Sequence, residues 1–177
     1  MLTESQLLNF RGMFLNEARA YKSLSKSIAK VSIFLSHSHK DKELVEGFIN
    51  LLAYSMQILI YVDWLDSDMP ATTNRETACR IKEKIEEMDY FLVLATRNAM
   101  ASKWVPWEIG IADKTKPADR VAIIPIVDPY GNYHGNEYMQ LYPRVSVGHH
   151  KQTGEEMLAV FDPNENSGTG IKYWLSP

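Results

Sequence analysis

Apolar positions change their spacing along this chain, and each spacing predicts a type of element. Between Leu2 and Ile28 apolar side chains recur every three or four residues, which predicts one amphipathic helix. Part of this stripe also repeats every seven residues, a spacing that two copies of a chain can use to pair. The helix is therefore expected either to dock on the rest of the domain or to join two chains. The stripe consists of Leu7, Phe10, Phe14, Ala18, Tyr21, Leu24 and Ile28.

After Lys30 short apolar runs replace the helical spacing. These runs are rich in β-branched and aromatic residues, and they predict strands. They alternate with stretches of helical spacing, which is typical of a parallel sheet with helices on both faces. An α/β fold with a doubly wound parallel sheet of about five strands is predicted. The predicted strands are 31–35, 58–62, 90–94, 121–127 and 145–147.

Two of the predicted helices carry the sequence signature of an N-terminal cap. Ser38 with Asp41 three residues later resembles an N-cap pair. Thr73 with Glu76 three residues later matches the capping-box pattern. Further along, residues 162–170 are rich in Asp, Asn, Gly and Pro, and they predict a surface loop.

Composition and charge narrow the class of protein. The chain has 177 residues, of which 45% are hydrophobic, so it is most simply one domain with terminal extensions. We expect an N-terminal helical extension (1–29), a central domain (30–150) and a C-terminal extension packed on it (151–177). A net charge of −3 gives no general attraction to nucleic acid or anionic lipid. No apolar run has the length of a membrane span, so a cytoplasmic location is expected.

The residues at the ends of the predicted strands disfavour several enzyme classes. The first strand leads into Ser36-His37-Ser38-His39 without the glycines of a redox dinucleotide site or a phosphate-binding loop. The third strand ends at Ala95-Thr96, where a receiver-type phosphoacceptor would have an aspartate. Hydride transfer, Walker-type nucleotide hydrolysis and aspartyl phosphorylation are therefore not expected.

A metal site is not predicted either. His37 and His39 are alternate residues, which we expect to point in different directions, and the sequence offers no obvious third ligand. The lone Cys79 excludes an intramolecular disulfide and a cysteine-based zinc site.

Glu76 supports two interpretations. It can complete the capping box with Thr73, which is a structural role. A carboxylate in the first turn of a helix also lies against the positive end of the helix dipole, which favours its ionised form. An ionised carboxylate at a crevice suits the stabilisation of a developing cation. Trp104, Trp107 and Glu108 begin a later helix, and they are expected to be structural.

Several segments together resemble the Toll/interleukin-1 receptor (TIR) domain family, in particular its small bacterial members. The resemblance covers roughly residues 30–127, and the family has a flavodoxin-like sheet, in agreement with the predicted alternation. The matching segments are Val31–Ser38 with Asp41, Tyr61–Asp63, Ile85–Glu87, Phe91–Leu94, Ser102–Trp104 and Trp107-Glu108.

The resemblance implies an activity. Many bacterial and plant TIR domains cleave the nicotinamide–ribose bond of NAD⁺, as NAD⁺ glycohydrolases or ADP-ribosyl cyclases. By this resemblance the catalytic carboxylate is Glu76, NAD⁺ is the substrate, and no cofactor is needed. The product would be ADP-ribose or a cyclic ADP-ribose. The residues implied to bind substrate are Ser36, His37, Asp63, Trp64 and Trp104.

The resemblance also implies partners, and it leaves alternatives open. Members of the family often act in antiphage defence, associate through TIR–TIR contacts and make a product that a downstream effector senses. A TIR domain can instead be a non-catalytic adaptor that binds others through the 64–73 loop. A third possibility is an enzyme similar to nucleoside 2-deoxyribosyltransferases, which have a related sheet and a nucleophilic glutamate.

Overall fold

The computed structural model describes residues 1–13, 31–53, 58–66 and 74–176. Within these ranges the chain forms a mixed, mostly parallel sheet covered by helices, which confirms the predicted α/β class. The strands are β1 (Leu2–Thr3), β2 (Val31–Ser36), β3 (Ile58–Tyr61), β4 (Tyr90–Ala95), β5 (Val121–Val127), β6 (Arg144–His149), β7 (Glu156–Phe161) and β8 (Gly168–Gly170). The helices are α1 (Glu4–Met13), α2 (Lys42–Ala53), α3 (Arg75–Glu87), α4 (Arg97–Met100), α5 (Val105–Thr115) and α6 (Ile171–Trp174).

The sheet has the order β3-β2-β4-β5-β6-β7-β8, with β1 paired to β5. The strands from β3 to β6 are parallel, and they correspond to the five predicted strands. The pairs β6–β7 and β7–β8 are antiparallel and were not predicted. The prediction of a surface loop over 162–170 is wrong at its end, where β8 forms an antiparallel pair with β7.

The N-terminus is part of the sheet and its covering layer. β1 places Leu2 beside Ile126 of β5, and α1 then packs along α2. Leu7 is fully buried, and a Cβ at Gly47 of α2 would lie 2.0 Å from the carbonyl oxygen of Leu7. This close approach supports the docked-helix interpretation for Glu4–Met13. The remainder of the predicted helix, 14–28, lies outside the described residues.

Two apolar clusters cover the two faces of the sheet. Successive side chains of a strand point to opposite faces, and β4 shows this clearly because all six of its residues are buried. Leu92 and Leu94 join the cluster formed with α1, α2 and α6, whereas Phe91 and Val93 join the cluster formed with α3 and α5. Burial on both faces explains the unbroken apolar sequence of this strand.

The parallel strands end at one edge of the sheet. β2, β3, β4 and β5 all point their carboxyl ends to this edge, which is where ligands bind in open α/β sheets. Among the described residues, no helix is long and apolar enough to cross a membrane. The division of the chain at residues 29 and 150 stays a prediction.

Candidate active site at the carboxyl edge of the sheet

Glu108 is a buried carboxylate at the carboxyl end of β2. It lies in the first turn of α5 and is only 6% exposed. The hydroxyl of Ser36, the last residue of β2, donates a hydrogen bond of 2.5 Å to Glu108 Oε2. Burial raises the pKa of Glu108 to about 7, although the Ser36 hydrogen bond opposes this shift. A carboxyl group with such a pKa changes its charge near neutral pH.

The loop after β2 turns sharply into a helical segment. Ser38 caps a 3₁₀ turn over His39–Asp41, and its hydroxyl oxygen accepts a hydrogen bond of 3.3 Å from the N–H of Lys40. The predicted cap at Ser38 is therefore confirmed. The predicted pairing with Asp41 is wrong, because the carboxylate of Asp41 is buried and accepts hydrogen bonds from Thr96 and Asn98. Asp41 thereby fastens this loop to the segment after β4.

Asp63 faces both histidines of the first loop. It begins a 3₁₀ turn directly after β3, and its Oδ1 accepts a hydrogen bond of 2.7 Å from the N–H of Trp64. His39 Nε2 lies 2.5 Å from Asp63 Oδ2, and His37 Nε2 lies 3.4 Å from Oδ1. Burial opposes ionisation of Asp63, but the two facing histidines outweigh it and hold its pKa well below the ordinary value.

The sequence analysis expected the two histidines to point apart, and this expectation is wrong. Residues two apart in extended backbone share one face, so a strand would also have kept these side chains together, and the 3₁₀ turn that begins at His39 brings both rings toward Asp63. The rings of His37 and His39 have centroids 5.8 Å apart, and the ring of Trp64 packs edge-on against His37 at 4.4 Å. Ser36, His37, Asp63 and Trp64 therefore lie close together, as expected of residues that share one pocket. Their contact with substrate stays a prediction.

Trp104 lies in a different environment. It precedes α5, where the hydroxyl oxygen of Ser102 accepts a hydrogen bond of 3.1 Å from its N–H. Its ring packs against Trp107 at 5.2 Å, and both belong to the apolar cluster between α3 and α5. Its carbonyl oxygen accepts a hydrogen bond of 2.9 Å from the N–H of Glu108, so Trp104 adjoins the site through its backbone. Its role in substrate binding stays a prediction.

Glu76 does not take part in the capping box of α3. The helix α3 is capped by Asn74, whose side chain accepts a hydrogen bond of 3.0 Å from the N–H of Thr77. The hydroxyl of Thr77 in turn accepts from the N–H of Asn74 at 3.3 Å, which completes the capping box. The capping box predicted for Thr73 and Glu76 is therefore wrong by one position. Glu76 itself is exposed, and its side chain has no hydrogen bond or ion pair with any described residue.

The structure thus separates the two glutamates that the sequence offered. Glu108, which the sequence analysis expected to be structural, is the carboxylate that meets Ser36 at the carboxyl edge. Glu76, the residue implied by the resemblance to be catalytic, lies on the exposed start of α3, and among the described residues its side chain has no hydrogen bond to Ser36 or Asp63. The segment 67–73 between Asp66 and α3 is outside the described residues, so the catalytic assignment of Glu76 stays a prediction.

The fold and this edge define an α/β protein with a cluster of polar side chains at the carboxyl ends of its parallel strands. A family model described as a TIR domain matches residues 33–154, and the chain belongs to this family. A protein of Bacillus cereus strain MSX-D12, named as the probable 3′ cyclic ADP-D-ribose synthase ThsB′, is 34% identical over 138 residues. That match covers 73% of this chain and 67% of the relative.

A second relative matches a shorter part of the chain. It is a protein of Cytobacillus dafuensis named as a candidate cyclic ADP-D-ribose synthase, TIR2, and it is 31% identical over 80 residues. The match covers 44% of this chain but only 21% of that protein.

Proposed function

We propose that this chain cleaves the nicotinamide–ribose bond of NAD⁺ and that Glu108, rather than Glu76, is its catalytic carboxylate. The observation that carries the proposal is the buried Glu108 with its raised pKa, hydrogen-bonded to Ser36 at the carboxyl edge of the sheet. The TIR family and the names of the two relatives support NAD⁺ as the substrate.

The reaction requires stabilisation of a positive charge on the ribose. Breaking the N-glycosidic bond sends its electron pair to nicotinamide, which leaves as a neutral molecule, and the ribose becomes an oxocarbenium-like cation. An ionised carboxylate beside the ribose stabilises that charge, and a site sheltered from water strengthens the interaction. Glu108 meets this requirement because it is almost completely buried.

The protonation state of Glu108 links binding to chemistry. In the protein without ligand its pKa is about 7, so the neutral and ionised forms are both populated at neutral pH. NAD⁺ carries a positive charge on its nicotinamide ring, and an approaching cation favours the ionised form of a carboxyl group. Substrate binding therefore lowers the pKa of Glu108, which releases its proton to solvent. The ionised carboxylate then carries the negative charge that stabilises the transition state.

Ser36 holds the carboxylate in one orientation. Its hydroxyl donates to Oε2 of Glu108, and the side chain of Ser36 is itself buried at the end of β2. One carboxylate oxygen is thus fixed by a rigid strand, and Oε1 is the oxygen available to face the ribose. His37, Asp63 and Trp64 come from the neighbouring loops and are the residues we expect to contact the rest of the dinucleotide.

We extend the proposal to the product and to association. Capture of the cation by water gives ADP-ribose, whereas capture by a nucleophilic atom of the same molecule gives a cyclic product. The names of both relatives favour the cyclic product. TIR–TIR self-association, a downstream effector that senses the product and a role in antiphage defence follow from the family resemblance, and they stay proposals.

A matched pair of variants tests the proposed function. Purified protein is incubated with NAD⁺, and nicotinamide, ADP-ribose and cyclic products are separated by chromatography. Glu108→Gln keeps the size of the side chain and removes its charge, so nicotinamide release should fall by about a hundredfold or more. Glu76→Gln makes the same chemical change on an exposed helix start, and it should retain activity.

The opposite result, with Glu76→Gln inactive and Glu108→Gln active, would restore the assignment implied by the resemblance. Absence of nicotinamide release from the wild-type protein at high concentration would favour the adaptor interpretation. Base exchange on deoxynucleosides would favour the deoxyribosyltransferase-like alternative. Thermal melting of each variant shows whether an inactive one is still folded.

A further inference from the structure

Three potential metal ligands from two loops converge beside the proposed active site. His37 and His39 follow β2, and Asp63 follows β3. One ligand atom from each of the three lies within 4.8 Å of the other two. Such a set of two imidazoles and one carboxylate is a donor set that Zn²⁺ and related ions use.

A backbone carbonyl sets the tautomer of the neutral His37 ring. Its Nδ1 lies 2.7 Å from the carbonyl oxygen of Leu35, and a carbonyl oxygen can only accept, so Nδ1 carries the proton. In the neutral ring Nε2 then presents a lone pair. Histidines that bind metals are commonly oriented in this way, with the other ring N–H donated to a carbonyl or a carboxylate.

The free nitrogen of His37 is buried without a hydrogen bond. The side chain is 3% exposed, and Nε2 has no hydrogen-bond partner among the described residues. It faces Asp63 Oδ1 at 3.4 Å, a separation and geometry of electrostatic contact rather than of a hydrogen bond. A lone pair facing a carboxylate oxygen is repulsive, and a cation between the two atoms removes that repulsion. Either a proton or a metal ion can be that cation.

We propose that His37, His39 and Asp63 bind one divalent transition-metal ion of the Zn²⁺ class. In tetrahedral coordination with bonds of about 2.0–2.1 Å, ligand atoms lie about 3.3 Å apart. The separation of 3.4 Å between His37 Nε2 and Asp63 Oδ1 meets this requirement. His39 Nε2, at 2.5 Å from Oδ2, must move outward, and its side chain is 72% exposed and can do so. The three side chains leave a fourth position for water or a ligand oxygen.

The donor types determine which ions the site accepts. Imidazole nitrogen favours Zn²⁺, Co²⁺ and Cu²⁺, whereas Mg²⁺ and Ca²⁺ favour sites made of oxygen alone. The site therefore discriminates between these two groups of ions. It also joins the loop after β2 to the loop after β3, so a bound ion holds together two of the segments that surround Glu108.

Calorimetric titration of the chelator-treated full chain with Zn²⁺, in the absence of NAD⁺, tests the proposal. We expect saturable binding of one ion per chain and no binding of Mg²⁺. His39→Ala removes an exposed ligand, and Asp63→Asn removes the carboxylate charge; each should weaken Zn²⁺ binding at least about tenfold. His149→Ala removes an exposed histidine outside the cluster, at the end of β6, and it should bind as the wild type does.

Co²⁺ provides an independent spectroscopic measurement. A tetrahedral Co²⁺ complex in this site should give visible absorption bands that are lost in His39→Ala and in Asp63→Asn but kept in His149→Ala. Zn²⁺ binding that is equally strong in the wild type, His39→Ala and Asp63→Asn would overturn the proposal, as would no binding by the wild type. Because NAD⁺ is absent, these results are independent of whether the proposed function holds.

Discussion

At the scale of single residues, the buried carboxylate of Glu108 makes the stability of the fold depend on pH. A carboxyl group with a pKa of about 7 in the folded chain and an ordinary pKa in the unfolded chain favours folding when it is protonated. That contribution is complete below the unfolded pKa and is lost as the pH rises through the folded pKa. The side chain that the proposed chemistry needs is thus one that destabilises the fold at alkaline pH.

The loss of stability that ionised Glu108 causes at alkaline pH leads to a prediction. Glu108→Gln cannot ionise, so it should be more stable than the wild type at pH 8 by on the order of 2–3 kcal/mol, with a much smaller difference at pH 5. For a chain of this size the shift in melting temperature at pH 8 is roughly 5–10 °C. Thermal melts of both proteins at the two pH values measure it, with Glu76→Gln as the control. A variant that is no more stable than the wild type at pH 8 would show that burial does not raise the pKa of Glu108.

The same group predicts a pH dependence of the reaction. Because the ionised form stabilises the cation, kcat/KM should rise with pH and level off above about 7. The hydrogen bond from Ser36 lowers the pKa of Glu108, so Ser36→Ala should move the midpoint of this profile to higher pH. Profiles measured in buffer with a chelator compare the two proteins, and Ser176→Ala near the C-terminus serves as the control. An unchanged midpoint in Ser36→Ala would contradict the assigned hydrogen bond.

At the scale of elements, the sequence predicted the strands that can be recognised from their own residues. The strands β2, β4 and β5 were predicted because each is an apolar run, interrupted in β2 only by Ser32 before its last residue. β1 was missed because its two residues fall inside a helical stripe, and β8 because two of its three residues are glycine, which is depleted in strands. The cap of α3 was misplaced by one residue, since Thr73 and Asn74 are both good caps and only the folded chain selects between them.

Replacement of glycine by alanine should change the stability of the fold in opposite directions at two positions, one where α1 packs on α2 and one in α5. A methyl group at Gly47 meets the backbone of Leu7 at 2.0 Å, and no side-chain rotation relieves this contact. Gly47→Ala should therefore lower the free energy of unfolding by roughly 1–3 kcal/mol. At Gly110 in α5 the added methyl group meets nothing within 4 Å, so Gly110→Ala should raise it by about 0.5–1 kcal/mol. Urea unfolding measures both, and a Gly47→Ala protein as stable as Gly110→Ala would contradict the close packing of α1.

At the scale of the whole molecule, the candidate site was only half predictable. Ser36 and Asp63 were found because each lies at the end of a predicted strand, and parallel strands end at the same edge. Glu108 was missed because its local context, a glutamate in the first turn of a helix, is equally typical of a purely structural residue. Its significance arises from a contact with Ser36 across 72 residues of chain, which no local pattern records.

That long contact has a consequence for synthesis of the protein. Ser36 ends β2 and Glu108 lies in α5, so the pair can form only after all the intervening residues have left the ribosome. Contacts between distant residues form slowly because a long loop must close first. A nascent chain therefore has no complete candidate site until Glu108 has left the ribosome and the chain between it and Ser36 has closed into a loop.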